Sequence, residues 1–355
     1  MPRAGTLSMD DMTDKMTLSA AYTLREMGSF YLGAPPHTVA GADVSDYVLA
    51  PGGVPVSIDP NGTTSVGQAW GQYFLPAAAT HSLPLSFWHG GSLTGAMWET
   101  TPDGREGWLH YFLRHGCPVY NVDAVERGRA GWAPRDPHFS SPAILRTAED
   151  SFCQFSIGSR VQRATPDALQ AAAYPHCQFP LAAFEHFMCQ VMPRWATTDD
   201  LILAAYCWLL DRIDPQIIIA HSQGTAFALR AAALRPDRVK AIVDIEPAQG
   251  GGEEALAALT DIPLLLVYGD NLHYDARWPQ IRARTDAYFA QLSARGVRVD
   301  VLDLPQASLL GNFHMLMMEL NNHAIAALIA RWLMDIPGAS RPDDGNDDDG
   351  KCEQA

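Results

Sequence analysis

The stretch IIIAHSQGTAFALRAAALRP, residues 217–236, joins three kinds of sequence in twenty positions. With Gln216 before it, an apolar run reaches Ala220, a turn of small and polar residues occupies 221–224, and an alanine-rich segment ends at a proline. The apolar run predicts a buried strand, and the alanine-rich segment predicts a helix. Ser222 is therefore predicted to lie at the tip of a strand-to-helix turn.

The same alternation occurs along much of the chain. It predicts strands at 83–90, 117–123, 216–220, 239–245, 262–267 and 297–302, and helices at 107–116, 199–213, 224–235, 278–295 and 320–334. Continuous apolar strands alternating with helices favour an α/β fold, with a mainly parallel central sheet covered by helices on both faces. Two segments of alternating polarity, 54–59 and 65–76, predict half-buried antiparallel strands, and a short strand is predicted at 28–34.

No repeat or linker divides the chain, so we expect one domain over 41–338 after an N-terminal extension at 1–40. The alternation stops at about 124–198, where proline and aromatic residues are frequent, and this segment is predicted to be an inserted cap. The last residues, 339–355, are almost free of apolar side chains and are predicted to be a disordered acidic tail.

Composition limits the partners. A net charge of -15 over 355 residues argues against nucleic acid, because a phosphate backbone needs a basic surface. The first 22 residues contain no apolar signal core, and no stretch reaches the roughly 20 apolar residues of a membrane span. We therefore expect a cytoplasmic protein without a membrane partner, and a homodimer is one expectation for its assembly.

The six cysteines show no CxxC spacing, so no metal site is predicted. Most are expected to be buried thiols. Cys153, Cys177 and Cys189 share one irregular region, and pairing among them is the expectation only for an exported protein.

The turn at Ser222 resembles a nucleophile elbow, G-x-S-x-G, which holds a serine hydroxyl above the sheet. Gly224 matches the last glycine of that motif, and Ala220 replaces the first glycine with the next smallest residue. The alternative is that Ser222 only caps the helix, since serine is common at that position.

The sequence HGGS, residues 89–92, favours the catalytic interpretation because it directly follows another predicted buried strand. A tetrahedral intermediate needs two backbone N–H donors, one from the residue after the serine and one from this earlier turn. We predict Gln223 and Gly91 as the donors, with Ser92 as the alternative to Gly91.

A serine nucleophile also needs a base and a carboxylate. His314 lies in a predicted loop between the last strand and the last helix, which is the expected position for the base. Two residues compete for the acid: Glu246 follows the strand after the nucleophile helix, and Asp270 follows the next strand, which is the commoner position. Both loops open on the same edge of the sheet, so physical reasoning leaves the choice open.

Several longer motifs resemble a known family: HGGSLTGAMWETTPDGREGWLHYFLRHG, VYNVDAVERGRAG, HSQG, IEP, VYGDN and GNFHM followed by NN. Over about residues 64–334 the chain is similar to bacterial serine carboxylesterases of the α/β-hydrolase fold. In that group the glutamate of the EP turn is the triad acid. The resemblance therefore implies Glu246 as the acid and Asp270 as a structural or pocket residue, with no metal or cofactor.

Eight aromatic residues, Trp88 and seven from the segment 124–198, are candidates for lining an apolar pocket beneath the cap, and they favour a hydrophobic or aromatic small molecule as substrate. They are Trp88, Trp132, Phe139, Tyr174, Phe179, Phe184, Phe187 and Trp195. Of these, Trp88, Trp132 and Phe187, together with Ser92, are the predicted pocket residues; the alternative is that the aromatic side chains form the cap's own core. Arg127 and Arg129 are either solvated charges or a site for a substrate carboxylate.

These observations predict hydrolysis of a carboxylic ester, or of a lactone, through an acyl-enzyme. Two alternatives stay open. The same residues also serve C–C bond hydrolysis and perhydrolysis, and the fold also occurs in proteins that bind ligands without catalysis.

Overall fold

The structure is a computed structural model that describes residues 21–33 and 35–339. The predicted N-terminal extension therefore lies partly outside the described residues, and the predicted acidic tail lies outside them except for Ala339. Among the described residues, no helix is both long enough and apolar enough to cross a membrane.

The described chain contains twelve strands, and eight of them form one sheet. The strands are β1 Leu24–Leu32, β2 Pro36–Val39, β3 Ser45–Tyr47, β4 Val56–Ile58, β5 Gly62–Ser65, β6 Ala69–Pro76, β7 Leu85–Trp88, β8 Val119–Asp123, β9 Gln216–His221, β10 Val239–Ile245, β11 Leu264–Tyr268 and β12 Val299–Asp303. The order in the large sheet is β1-β6-β8-β7-β9-β10-β11-β12, and the six strands from β8 to β12 in that order are parallel. This confirms the predicted mainly parallel sheet.

Helices cover both faces of the sheet. They are α1 Ala96–Glu99, α2 Trp108–Arg114, α3 Ala148–Gln154, α4 Pro166–Ala172, α5 Phe184–Met188, α6 Asp199–Arg212, α7 Gly224–Leu234, α8 Gly252–Ala258, α9 Trp278–Ala294 and α10 Asn322–Leu333. Strand β9 shows how the two faces arise, because Ile217 and Ile219 pack on one core while Ile218 and Ala220 pack on the other. The first core contains α2 and α10, and the second contains α6 to α9.

The order of the strands determines where a ligand can bind. The chain leaves β7 for β8 on one side and then continues at β9 on the other side of β7. Loops therefore diverge at the carboxyl ends of β7 and β9, and this crevice is the usual ligand site of an open parallel sheet.

The segment 124–198 contains three short helices, α3 to α5, and little other regular structure. Its aromatic side chains pack mainly on one another: Phe152, Phe179, Phe184 and Phe187 form one cluster, with ring centroids 5.3–6.2 Å apart. The cap aromatics thus supply much of the segment's own core.

Two predictions were wrong, and one helix was not predicted. The segment 54–59 contains β4, which pairs with β3 in a small exposed sheet and is not half-buried. Helix α8, between β10 and β11, was not predicted. The thiol prediction was also wrong: the five cysteines in the described chain are all unpaired, but only Cys117 and Cys207 are buried.

Candidate active site

Ser222 lies between the end of β9 and the first residue of α7. Its φ angle is +55°, in the left-handed region that a side-chain-bearing residue adopts at a cost of about 1–3 kcal/mol. The backbone N–H of Ser222 donates to the Ile245 carbonyl over 2.9 Å, which holds the turn against β10. This is the strained strand-to-helix turn of a nucleophile elbow.

Gly224 lets the start of α7 approach the end of β7. A Cβ atom at this position would lie 3.0 Å from both the Trp88 and the His89 carbonyl oxygens. A larger residue would push the helix away from the turn that follows β7, so the glycine brings two elements of the site together.

His314 is in contact with the nucleophile. Its Nε2 atom lies 2.9 Å from Ser222 Oγ, which is hydrogen-bonding distance. The ring is buried between Trp278 and His221, with centroids 4.3 and 4.5 Å away. His221 faces away from the serine hydroxyl, and its Nε2–H donates to the His314 carbonyl over 2.8 Å.

A buried glutamate fixes the loop that carries His314, and the sequence reasoning missed it. Glu319 Oε1 accepts from the Phe313 N–H over 2.6 Å, and Oε2 accepts from Asn312 Nδ2 over 2.5 Å. The only signal in the sequence was a glutamate placed among apolar residues in MLMMEL. Glu319 therefore holds the two residues that precede the base.

Glu246 lies beside the other ring nitrogen of His314. Its Oε2 atom is 3.8 Å from His314 Nδ1, and neither atom has a hydrogen-bond partner although both are buried. Oε1 accepts from the Gly269 N–H over 2.5 Å, which holds the carboxyl group at the end of β11. A shift of about 1 Å would give Oε2 and Nδ1 a normal hydrogen bond.

Asp270 has a different contact. Its Oδ2 atom accepts from the Gly311 N–H over 2.9 Å, three residues before the base. Within the described chain, no Asp270 oxygen lies within 4.0 Å of a His314 ring nitrogen. The geometry therefore favours Glu246 as the partner of the imidazole and gives Asp270 a role in holding the loop.

Burial shifts the protonation of both groups. Burial lowers the pKa of His314 to about 3, and the Arg277 charge lowers it too, so the imidazole is neutral and can accept a proton. Burial raises the pKa of Glu246 to about 8, while the Gly269 N–H opposes that rise. The carboxyl group thus loses its proton at a higher pH than an ordinary glutamate does.

The predicted oxyanion donors are adjacent. Gly91 follows β7, Gln223 follows Ser222, and a Cβ atom on Gly91 would lie 3.0 Å from Gln223 Oε1. Among the described residues, no hydrogen bond occupies the backbone N–H of Gly91 or of Gln223. Two unoccupied donors beside the nucleophile are what an oxyanion hole requires.

A cavity of about 300 Å³ opens at Ser222 and His314. Its lining is mostly polar, and Phe155 is its one large apolar side chain; Arg146, Arg194 and Asp199 supply charges. A larger cavity of about 1100 Å³ lies between the cap and Leu320, but no triad residue lines it, so the smaller cavity is the site of the chemistry.

Three of the four predicted pocket residues lie elsewhere. Trp88 is fully buried and stacks on Tyr206 with ring centroids 3.8 Å apart, and Phe187 is buried in the cap core. Trp132 is 48% exposed and lines a separate cavity. Only Ser92 lines the cavity at the nucleophile. The predicted apolar lining is therefore wrong for these three residues: Trp88 and Phe187 are part of the hydrophobic cores, and Trp132 lies at another cavity.

The two arginines that were considered as solvated charges or as a site for a substrate carboxylate form ion pairs away from the nucleophile. Arg127 is buried and pairs with Glu126 over 3.2 Å. Arg129 pairs with Asp123 over 3.0 Å and stacks on the Trp70 ring. The arginines that do line the cavity, Arg146 and Arg194, come from the irregular cap and carried no periodic signal.

Known proteins are similar to this chain in fold and in sequence. No known family profile matches the chain. A structurally characterised novel bacterial esterase is 31% identical, with a TM-score of 0.77, over 90% of this chain and 98% of that chain. A probable secreted lipase, phiG, from Fungal sp. (strain ATCC 74256) is 27% identical over 323 residues, which cover 73% of this chain and 84% of that protein. The chain belongs to the esterases of the α/β-hydrolase fold, and it is a carboxylic ester hydrolase.

Proposed function

We propose that the protein hydrolyses esters of small molecules through an acyl-enzyme formed on Ser222. The observation that carries this proposal is the 2.9 Å contact between Ser222 Oγ and the neutral ring of His314, beside two unoccupied backbone donors. These are a nucleophile, its base and a site for the developing negative charge.

The first half of the proposed reaction transfers the acyl group of the ester to Ser222. Ser222 Oγ attacks the ester carbonyl carbon while His314 Nε2 takes the hydroxyl proton. The carbonyl oxygen becomes an oxyanion that accepts from the Gly91 and Gln223 N–H groups. The imidazolium formed in this step is stabilised because its Nδ1–H donates to ionised Glu246. As the tetrahedral intermediate collapses, the bond between its carbon and the alcohol oxygen breaks, and His314 Nε2 gives its proton to the departing alcohol.

The second half repeats the first with water. His314 Nε2 takes a proton from a water molecule, the hydroxide attacks the acyl carbon, and the oxyanion occupies the same site. Collapse of the intermediate breaks the bond to Ser222 Oγ, which regains its proton, and the carboxylic acid leaves. The same steps would open a lactone, which is a cyclic ester. We propose ester hydrolysis because both relatives are named for ester-cleaving activity.

The polar lining changes the expected substrate. A hydrophobic or aromatic ester was expected from the cap aromatics, but these side chains do not reach the 300 Å³ cavity. A small ester with polar or charged groups matches Arg146, Arg194 and Asp199 better.

The experiment compares several acetate esters with different leaving alcohols in the presence of added methanol. A shared acetyl-enzyme divides between water and methanol in one constant ratio, whatever alcohol has left. Ser222→Ala should abolish turnover, whereas Ser140→Ala, at an exposed serine of the cap, should not. A ratio that changes with the leaving alcohol would contradict the acyl-enzyme, and no turnover by the wild type would contradict ester hydrolysis.

Location and assembly stay proposals. We propose the cytoplasm, although the related fungal lipase is named as secreted, and fractionation of the native cells decides between the two. We also propose a homodimer, which light scattering of the full chain tests directly.

A further inference from the structure

Arg194 places a guanidinium group next to the nucleophile. Its Nη1 donates to Gln223 Oε1 over 2.8 Å, and Gln223 directly follows Ser222 in the chain. The side chain also lines the cavity that contains Ser222 and His314. Arg194 is therefore within the site, although none of the reaction steps above uses it.

The cap holds Arg194 firmly in this place. The backbone of Arg194 exchanges two hydrogen bonds with Ile144, over 2.7 and 3.1 Å. Two residues earlier, the Met192 N–H donates to the Ser92 carbonyl over 2.8 Å, which ties the cap to the oxyanion turn. These contacts fix the main chain at Arg194, and the hydrogen bond from Nη1 to Gln223 Oε1 places the guanidinium.

Glycine at position 91 provides the space that Arg194 needs. A Cβ atom there would lie 2.7 Å from Arg194 Nη1, too close for an ordinary contact. The guanidinium therefore packs directly against a predicted oxyanion donor. An anion held by Arg194 would belong to the same small molecule as the reacting ester, a short chain away from its carbonyl carbon.

Within the described residues Arg194 makes no ion pair, although Asp199 lines the same cavity. In residues 21–33 and 35–339, no carboxylate oxygen lies within 4.0 Å of its guanidinium nitrogens. By contrast Arg127, Arg129 and Arg146 each have one, at 3.2, 3.0 and 2.6 Å. The Nε atom of Arg194 is buried and makes no hydrogen bond.

A buried cationic N–H without a partner is costly, and it needs an explanation. Guanidinium stays charged in proteins and binds carboxylates through two parallel hydrogen bonds. Burial lowers the pKa of Arg194 somewhat, and the charge of Asp199 opposes this. The missing partner is therefore a group that arrives with the substrate.

We propose that the site selects esters that carry a carboxylate, and that Arg194 binds this carboxylate. The inference rests on the proposed ester hydrolysis and names its substrate class. Arg146 and Asp199 line the same cavity, and Arg146 is already paired with Asp150 over 2.6 Å. Arg194 is therefore the cationic side chain of this lining that has no ion pair within the described residues, in a chain whose net charge is -15.

The test uses two pairs of matched esters. In the first pair the charge is on the acid: 4-nitrophenyl hydrogen adipate is compared with 4-nitrophenyl adipamate, in which an amide replaces the carboxylate. In the second pair the charge is on the alcohol: 4-acetoxybenzoate is compared with 4-acetoxybenzamide. The readout is the ratio of kcat/KM for the charged and the neutral member, after subtraction of uncatalysed hydrolysis.

We expect the wild type to prefer the charged member of at least one pair by about tenfold or more. The pair that shows the preference tells whether the carboxylate belongs to the acid or to the alcohol. Arg194→Met should reduce the preference to about twofold or less, whereas Arg163→Met, at an exposed arginine of the same cap, should keep it. Rates on neutral esters should also fall in Arg194→Met, because Gln223 loses its hydrogen-bond partner. For this reason the variants are compared by the ratio of kcat/KM for the charged and the neutral ester, and not by the rates themselves.

A preference of less than about twofold for both pairs in the wild type would overturn the proposal, as would a tenfold preference that survives in Arg194→Met. If Arg194→Met does not fold, the ratio of kcat/KM measured on the wild type is the test. Failure of the ester hydrolysis itself would look different, because 4-nitrophenyl acetate and both neutral esters would then also be left intact.

Discussion

The Nδ1 atom of His314 lies 3.8 Å from Oε2 of Glu246, and both atoms are buried without a hydrogen-bond partner. On its other side the same ring is already 2.9 Å from Ser222 Oγ. His314 is therefore at hydrogen-bonding distance from the nucleophile but not yet from its carboxylate. Catalytic hydrogen bonds commonly shorten when the substrate binds, and this contact is the one that has to shorten here.

The acid of the triad can be identified by two matched substitutions. Glu246→Gln should lower kcat by roughly 10³–10⁴-fold, because an amide cannot stabilise the imidazolium. Asp270→Asn should lower kcat by less than about tenfold, because the asparagine oxygen can still accept from the Gly311 N–H. Steady-state kinetics on one ester measures both. A severe loss only in Asp270→Asn would show that the acid is misassigned.

The pH dependence of kcat/KM tests the electrostatics of the same pair. Burial raises the pKa of Glu246 to about 8 and lowers that of His314 to about 3. The active form combines neutral His314 with ionised Glu246, so kcat/KM should rise as the pH rises, with a midpoint near 8 that belongs to the pair as a whole. Glu246→Gln should lack this rise. A wild-type midpoint at or below about 6.5, the ordinary value for histidine, would contradict this assignment.

Glu319 is predicted to position the base. Glu319→Ala removes the acceptor for the Phe313 N–H and for Asn312 Nδ2 and should lower the free energy of unfolding by about 1–3 kcal/mol. It should also lower kcat, because His314 is the next residue in the loop. Urea unfolding and ester kinetics measure the two effects, with Glu253→Ala on the exposed surface of α8 as control. Loss of stability with unchanged kcat would limit Glu319 to a structural role.

Much of the sheet could be predicted from short-range patterns. Strand β9 and helix α7 begin and end within one residue of their predicted limits, because an apolar run, a turn and an alanine-rich segment differ so strongly. The exposed pair β3 and β4 was harder to predict, since its strands bury little surface and alternation alone does not tell which partner they take.

The site was predictable only in part. Ser222 and His314 could be found because each follows a predicted strand in an expected order, and the structure brings them into contact. Glu246 and Asp270 follow neighbouring strands, so the sequence pattern alone could not separate them. The distance of 3.8 Å between His314 Nδ1 and Glu246 Oε2 was needed for the choice. Arg194 could not be found, because it lies in the irregular cap. Its place depends on hydrogen bonds that are distant in sequence, from Arg194 to Ile144 and from Met192 to Ser92.

The central claim is that Ser222 is the nucleophile, and an activated fluorophosphonate tests it most directly. Mass spectrometry of the digested protein should show one adduct, on the peptide that contains Ser222, and turnover of a short 4-nitrophenyl ester should fall in proportion to labelling. An adduct on another residue, or full turnover by protein that is labelled at Ser222, would contradict the account.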